Sequence, residues 1–254
     1  MHAKTIWISD VHLGSTACKA EKILAFLKTL SCETLILNGD IIDGWRLQRK
    51  WYFPQSHLLV LRKIIGLSKK INVVYCSGNH DEFLRKFTEF DLNIGNIQIV
   101  NKHVHTINGL RCLSIHGDGW DMITKYSPWI AKLGDTAYNV SIWLNTHFNN
   151  VRYLLGMKYW SLSKYLKNTV KNAVSFIFAF EHAAINSAKN LKYDMVCCGH
   201  IHNTALYKHD GIIYANSGDW CETCSWVVET HDGKLQIWEW NDGDPILINE
   251  LTLI

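Results

Sequence analysis

The sequence predicts an α/β layered sandwich carrying an inserted helical segment, on three observations. Short apolar runs recur along the 254 residues, each ending in a polar cluster; stretches of helical period separate the first three of them; and one long internal stretch shows helical patterning without a strand. With 48% hydrophobic and 19% charged positions the composition is that of a globular protein. A chain of this size buries roughly three quarters of its unfolded surface, so a metal is not needed merely to hold a core.

The runs Ile6–Ile8, Leu35–Leu37, Val73–Cys76, Leu113–Ile115 and Met195–Cys198 read as buried strands. Helical spacing appears at Ile23, Leu24, Phe26, Leu27 and Leu30, and again at Leu58, Leu59, Leu61, Ile64 and Ile65. After His202 the pattern changes to Ile212–Asn216, Ser225–Glu229 and Leu235–Trp240. Asp210-Gly211 and Asp232-Gly233 supply turn signals there, which predicts an antiparallel second sheet. The whole chain, residues 1–254, is expected to be one domain, with residues 120–190 forming a helical cap inserted within it.

Net charge is +3, too balanced to imply nucleic-acid binding by itself. The cap, however, holds eight Lys and Arg against three acids, a local +5 that leaves −2 on the remainder, together with four of the eleven Trp. Eight cysteines without an export signal suggest reduced thiols and a cytoplasmic setting. No run of about 18 apolar residues suggests a membrane span. Cys221 and Cys224 have zinc-knuckle spacing, but no second pair follows, which argues against a structural zinc. His103 and His105 read as alternation in an edge strand.

Five polar clusters follow the expected strands, where open α/β sheets place their sites. They are Asp10-Val11-His12, Gly39-Asp40-Ile41-Ile42-Asp43, Gly78-Asn79-His80-Asp81, His116-Gly117-Asp118 and Gly199-His200-Ile201-His202. Each contains metal-ligand chemistry. Singly, an Asp-x-His or His-x-His pair occurs by chance; five in strand-end register form a pattern.

In order and spacing these blocks resemble the calcineurin-like metallophosphoesterases. The resemblance implies a four-layer αββα sandwich and a dinuclear centre: one ion on Asp10, His12, Asp40 and His202, the second on Asp40, Asn79, His116 and His200, with Asp40 bridging. Two divalent ions against two ligand carboxylates leave positive charge for a phosphate, and nitrogen and oxygen donors without thiolate favour Mn, then Fe or Zn, over Ca. His80, with Asp81 accepting from its ring, is the expected catalytic acid; Asp43 and Asp118 are expected to orient ligating imidazoles.

Within that superfamily the chain resembles the bacterial UDP-2,3-diacylglucosamine pyrophosphatases of lipid A biosynthesis. The matching segments are Ile8–Ser15, Gly39–Trp45, Asn79–Arg85, the helical insert after Asp118, and Gly218-Asp219-Trp220. Better-known members carry Arg where this chain has His80. The resemblance implies release of UMP and a lipid phosphate, a nucleotide-linked lipid or other phosphodiester as substrate, and peripheral contact of the cap with the inner membrane. Arg85, Lys164, Lys167, Lys171 and Asn172 are the expected substrate contacts. A broader phosphodiesterase or nuclease ranks second, and a non-catalytic binding module of the same fold last.

Overall fold

The structure, a computed structural model, describes residues 2–88, 93–121, 162–241 and 243–253, with side chains at all of these except Phe87 and residues 162–173. The chain divides into two compact units, residues 1–119 with 184–254 and residues 120–183. The fold is mixed α/β. Eight strands form one sheet in the order β13-β12-β11-β1-β2-β3-β5-β4, and five form another in the order β6-β7-β8-β10-β9, with β4 spanning Asn93–Ile94, β9 spanning Ala205–His209 and the other ranges given below.

In the first sheet β1 (Ala3–Ile8), β2 (Cys32–Asn38), β3 (Asn72–Cys76) and β5 (Ile97–Val100) run parallel. Alternate residues of a strand face opposite sides, and here both sides are apolar. Ile6, Ile8, Leu35, Leu37, Val73 and Tyr75 pack in one cluster with Ile23, Phe26 and Leu27 of α1 (Ala20–Thr29) and Val60, Ile64 and Leu67 of α3 (Gln55–Leu67). Between the two lies the short α2 (Gly44–Arg49).

Trp7, Ile36 and Val74 face the other way. They join Cys112 of β7 (Leu110–Ser114), Met195 and Cys197 of β8 (Met195–Cys198), and Ile213 and Ala215 of β10 (Ile212–Asn216), so the two sheets pack face to face. Trp7 Nε1 donates to Ser114 Oγ at 2.8 Å across this layer, giving the buried indole its partner. Continuous apolar runs are the signature of strands covered on both faces, which is why these five were visible in the sequence.

The antiparallel second sheet expected after His202 does not form as a unit. Ile212–Asn216 lies parallel to β8 in the five-stranded sheet, whereas β11 (Ser225–Glu229) pairs antiparallel with β1 and draws β12 (Lys234–Asn241) and the edge strand β13 (Asp244–Thr252) into the larger one. Residues 217–224 carry the chain between sheets, turning at Gly218 with φ +71. Strand pairing follows tertiary proximity, which a local turn signal does not report. His103 and His105 do lie on an edge strand, β6 (His103–Ile107), paired with β7 alone.

The short α4 (Arg85–Thr88) follows the third polar cluster, and α5 spans Leu162–Asn190 with Ala184, Ile185 and Ala188 buried. Residues 122–161 of the expected cap, with Lys125, Lys132, Arg152 and Lys158, lie outside the described residues. No helix among the described residues is long and apolar enough to cross a membrane.

Candidate metal centre

All five polar clusters stand at carboxyl ends of parallel strands: Asp10 and His12 after β1, Asp40 and Asp43 after β2, Asn79 to Asp81 after β3, His116 after β7, and His200 and His202 after β8. The backbone there is strained. Asp10, His12, Asp40, His200 and His202 have φ between +51 and +72, so among the described residues five of the nine positive-φ non-glycine residues are expected ligands. Such a conformation costs about 1–3 kcal/mol per residue and persists only where the surroundings enforce it.

The enforcement comes from backbone hydrogen bonds and close glycine contacts. The amides of Asp10 and His12 donate to the Gly39 and Asp40 carbonyls at 3.1 and 2.9 Å, locking the first two loops together. Gly39 has φ +90, and a Cβ there would stand 2.4 Å from the His116 ring; one on Gly78 would stand 2.2 Å from Asp40 Oδ1. Neither position has room for a side chain.

The donor atoms converge in two groups that share Asp40 Oδ2. In the first, His202 Nε2 lies 3.3 Å and His12 Nε2 3.8 Å from Asp10 Oδ1; the two imidazole nitrogens are 3.4 Å apart, and His12 Nε2 is 3.9 Å from Asp40 Oδ2. In the second, His116 Nε2 is 3.2 Å from Asp40 Oδ2, 3.2 Å from Asn79 Oδ1 and 3.3 Å from His200 Nδ1. Donors held about 2.0–2.2 Å from a common ion have spacings of this order.

The chemistry of the set fits cations. When His116 Nδ1–H donates to the Asn38 carbonyl at 3.0 Å, the Nε2 lone pair points at a carboxylate, an amide oxygen and another imidazole nitrogen. With His200 in the tautomer that leaves a lone pair on Nδ1, all of these are electron donors, and a cation among them would satisfy every one. Asp10 Oδ1 is buried with no hydrogen-bond partner. Burial opposes charge on His116, yet the carboxylates of Asp40, Asp10 and Asp81 outweigh it and push its pKa up to about 10. Burial would likewise raise Asp10, but His202, His116 and His12 hold it well below the usual carboxylate range. The cluster is thus built around a positive charge.

His80 lies beside this centre, with Nε2 4.0 Å from Asp40 Oδ2 and its amide donating to Asp40 Oδ1 at 2.8 Å. Its ring is packed edge-on to His12 at 4.7 Å and against Trp45 at 4.4 Å. The carboxylate on His80 is Asp43, at 2.9 Å from Nδ1, and not Asp81. Adjacent residues of an extended segment diverge. Asp81 turns inward, accepting from Tyr75 Oη at 2.5 Å, Gly78 N at 2.5 Å and Ile41 N at 2.9 Å, and so ties the second and third loops together. Asp43 also faces His12 Nδ1 at 3.7 Å and caps α2 by accepting from Arg46 N at 3.0 Å. Burial would raise its pKa; His12, His80 and the Arg46 amide lower it strongly.

Asp118 does not orient a ligating imidazole. It accepts two bonds from Arg85 Nη2, at 2.8 and 2.9 Å, and Arg85 also reaches the Ser77 carbonyl at 3.3 Å. Arg85, expected to contact substrate, is therefore first a strut between the third and fourth loops. The side chains of Lys164, Lys167, Lys171 and Asn172, on the first half of α5, lie outside the described residues.

Two contributors were missed from the sequence. Asp219, buried, lies 4.0 Å from His202 Nδ1 while accepting from Cys221 N at 2.6 Å and Thr223 Oγ1 at 3.0 Å. Gly218-Asp219-Trp220 was visible as a motif, but nothing in it announced a partner for His202. The Asn38 carbonyl on His116 is main chain and has no residue-type signal at all. Cys221 and Cys224 form no disulfide, and neither do the other six cysteines; all eight are buried.

A family model described as calcineurin-like phosphoesterase matches residues 3–204. Comparison with curated proteins yields no match. Among solved structures, vacuolar protein sorting 29 from Cryptosporidium parvum is similar at a TM-score of 0.50 and 12% identity, over 100% of both chains. Wild-type Vps29 complexed with Zn2+ from Entamoeba histolytica gives 0.49 and 14% over 97% of each chain. YfcE, a phosphoesterase from E. coli, gives 0.49 and 14% over 98% of each. At such identities the first of these speaks to the fold alone. The match over residues 3–204 embraces all five polar clusters at the strand ends, and on it the chain belongs to the calcineurin-like phosphoesterase family.

Proposed function

We propose that the protein is a metal-dependent hydrolase that cleaves a P–O–P or P–O–C bond, with a nucleotide-linked lipid of the UDP-2,3-diacylglucosamine type as substrate and UMP and a lipid phosphate as products. The observation that carries the hydrolase reading is Asp40 Oδ2, one oxygen within 3.9 Å of His12 Nε2 on one side and 3.2 Å of His116 Nε2 on the other. Asp10, His12, Asp40 and His202 would hold one ion, and Asp40, Asn79, His116 and His200 the other. Two divalent ions there, Mn the first choice, supply a lowered water pKa and charge balance on attacking and leaving oxygens.

The chain's own groups provide the rest. Asp43, accepting from His80 Nδ1–H, leaves Nε2–H of the imidazolium directed toward the centre, where it can protonate a leaving oxygen. Trp45, 4.4 Å away, packs against the ring and limits its rotation. Beside His80 opens a recess of about 410 Å3 lined by Trp45, Phe83, Arg85 and Lys86, within the size range of small-ligand sites. Trp45 and Phe83 are exposed there. Two exposed rings suit a base and Lys86 beside them suits a phosphate, while Glu82 also lines the recess and Arg85 is held by Asp118. Peripheral contact with the inner membrane remains part of the reading through the basic, aromatic-rich sequence of residues 120–190.

The test is UMP release from UDP-2,3-diacylglucosamine by Mn-loaded protein, with bis(p-nitrophenyl) phosphate in parallel and His116→Ala as control. Turnover of the lipid, reduced at least ~10²-fold in the control, is the expected result. Hydrolysis of the chromogenic diester without the lipid would replace the substrate but keep the chemistry. Failure on both by protein with two bound ions would overturn the hydrolase reading.

A further inference from the structure

We infer that His2, Glu33 and His231 form a separate site for a divalent transition metal at the end of the large sheet away from the main centre. One ligand atom of each lies within 4.8 Å of the others. The two imidazoles stack with centroids 5.3 Å apart and planes 18° from parallel, and His231 Nε2 stands 3.7 Å from Glu33 Oε1.

The backbone brings them together. Ala3 pairs with Cys32 in the parallel β1–β2 ladder, and the Ala3 amide donates to the Ser31 carbonyl at 2.9 Å, which sets His2 beside the start of β2. Thr5 pairs with Glu229 in the antiparallel β1–β11 ladder, so the chain beyond β11 returns to the same corner. His231 sits there in a turn closed by the Thr230 amide on the Lys234 carbonyl at 2.9 Å. Two rings and one carboxylate thus arrive from three strands that are distant in sequence.

Ser31 completes the arrangement. Its Oγ lies 2.7 Å from His2 Nδ1. When Nδ1–H donates to it, the lone pair is left on Nε2 for a metal, with a polar partner holding the ring as ligating histidines usually have. Two nitrogens and one carboxylate oxygen, all open to solvent for further water ligands, suit Zn2+, Ni2+ or Cu2+ and not Mg2+ or Ca2+. The site precedes β1 and β2, whereas the main centre follows their opposite ends. Six residues of β1 separate them, roughly 20 Å at strand rise. An ion here would clasp the N-terminal end of β1 to its two neighbours.

The experiment uses the untagged full chain and Zn2+. Bound zinc is counted by mass spectrometry after equilibrium dialysis at fixed free Zn2+, for wild type and for His2→Ala, Glu33→Gln and His231→Ala. Each variant should bind one equivalent fewer than wild type, whatever the occupancy of the main centre, with phosphoester hydrolysis unchanged. Ser31→Ala should weaken that equivalent about 10–100-fold. As a second readout on wild type, substoichiometric Cu2+ should broaden the His2 and His231 imidazole resonances together. Equal zinc counts in all four proteins, or resonances that ignore Cu2+, would overturn the assignment.

Discussion

In the proposed reaction His80 is the acid, because its Nε2 faces Asp40 at 4.0 Å while it belongs to neither of the two proposed four-residue ligand sets. Replacing it with Ala should lower kcat by roughly 10²–10⁴ while bound metal, measured by mass spectrometry, stays at the wild-type count. A fall in metal content equal to the fall in rate would make His80 a ligand instead. Asp43→Asn should share part of the rate loss, since the Asp43 carboxylate is 2.9 Å from His80 Nδ1. Gly39 makes a sharper structural demand: its φ is +90 and a Cβ would collide with His116 at 2.4 Å. Gly39→Ala should therefore displace the His116 ring, lowering the urea midpoint by the equivalent of about 1–3 kcal/mol and with it the metal content. The donor residues were legible one by one, because each ligand type stands just past an apolar run. Which carboxylate serves which imidazole was not. Asp81 is next to His80 in the chain yet bonds to Tyr75, and Asp43, thirty-seven positions back, takes the ring.

Elements position these residues, and their edges carry their own titration. His105 on β6 is largely enclosed, tilted against Trp7 at 5.6 Å and stacked on His103 at 5.1 Å, with neither ring nitrogen hydrogen-bonded. Burial, then the charges of His103 and Lys4, lowers its pKa to about 4. A base whose folded pKa is depressed contributes full stability above its unfolded value near 6.5 and loses it as pH falls toward the folded one. Relative to His105→Leu, the wild-type chain should lose about 2 kcal/mol between pH 7.5 and pH 5, read by urea unfolding of both at each pH. A difference that stays constant with pH would remove His105 as the cause. At this scale the buried parallel strands and the helices α1 and α3 were readable from periodicity. The destinations of β10, β11 and β12 were not, since the same alternating pattern suits either sheet.

The candidate metal centre joins parts of the chain that are distant in sequence. Residues separated by 190 positions, Asp10 and His200, meet where the His200 amide donates to Asp10 Oδ2 at 2.9 Å, so a cation gripping both sides binds the folded chain and not the unfolded one. Binding at a hundredfold excess over Kd stabilises by about 2.7 kcal/mol per site, which for a chain of this length is worth about 5–10 °C in Tm. Chelation should lower Tm by that order, added Mn2+ should restore it, and His116→Ala should show a smaller response in the same calorimetric scan. An unchanged Tm on chelation would mean that the ligands do not share an ion in solution.

By itself, the order of residue types along the chain determined the family, the layered α/β fold and a list of candidate metal ligands. That is so because ligand chemistry is confined to strand ends, and strands announce themselves through continuous apolar runs. Only the tertiary structure decided that Asp43 and Asp219 are the carboxylates facing His80 and His202, and that Arg85 is engaged by Asp118. Those assignments depend on the directions in which side chains leave loops held by long-range hydrogen bonds and by glycines without room for a Cβ. Direction in space is a property of the folded backbone, and spacing along the sequence does not carry it.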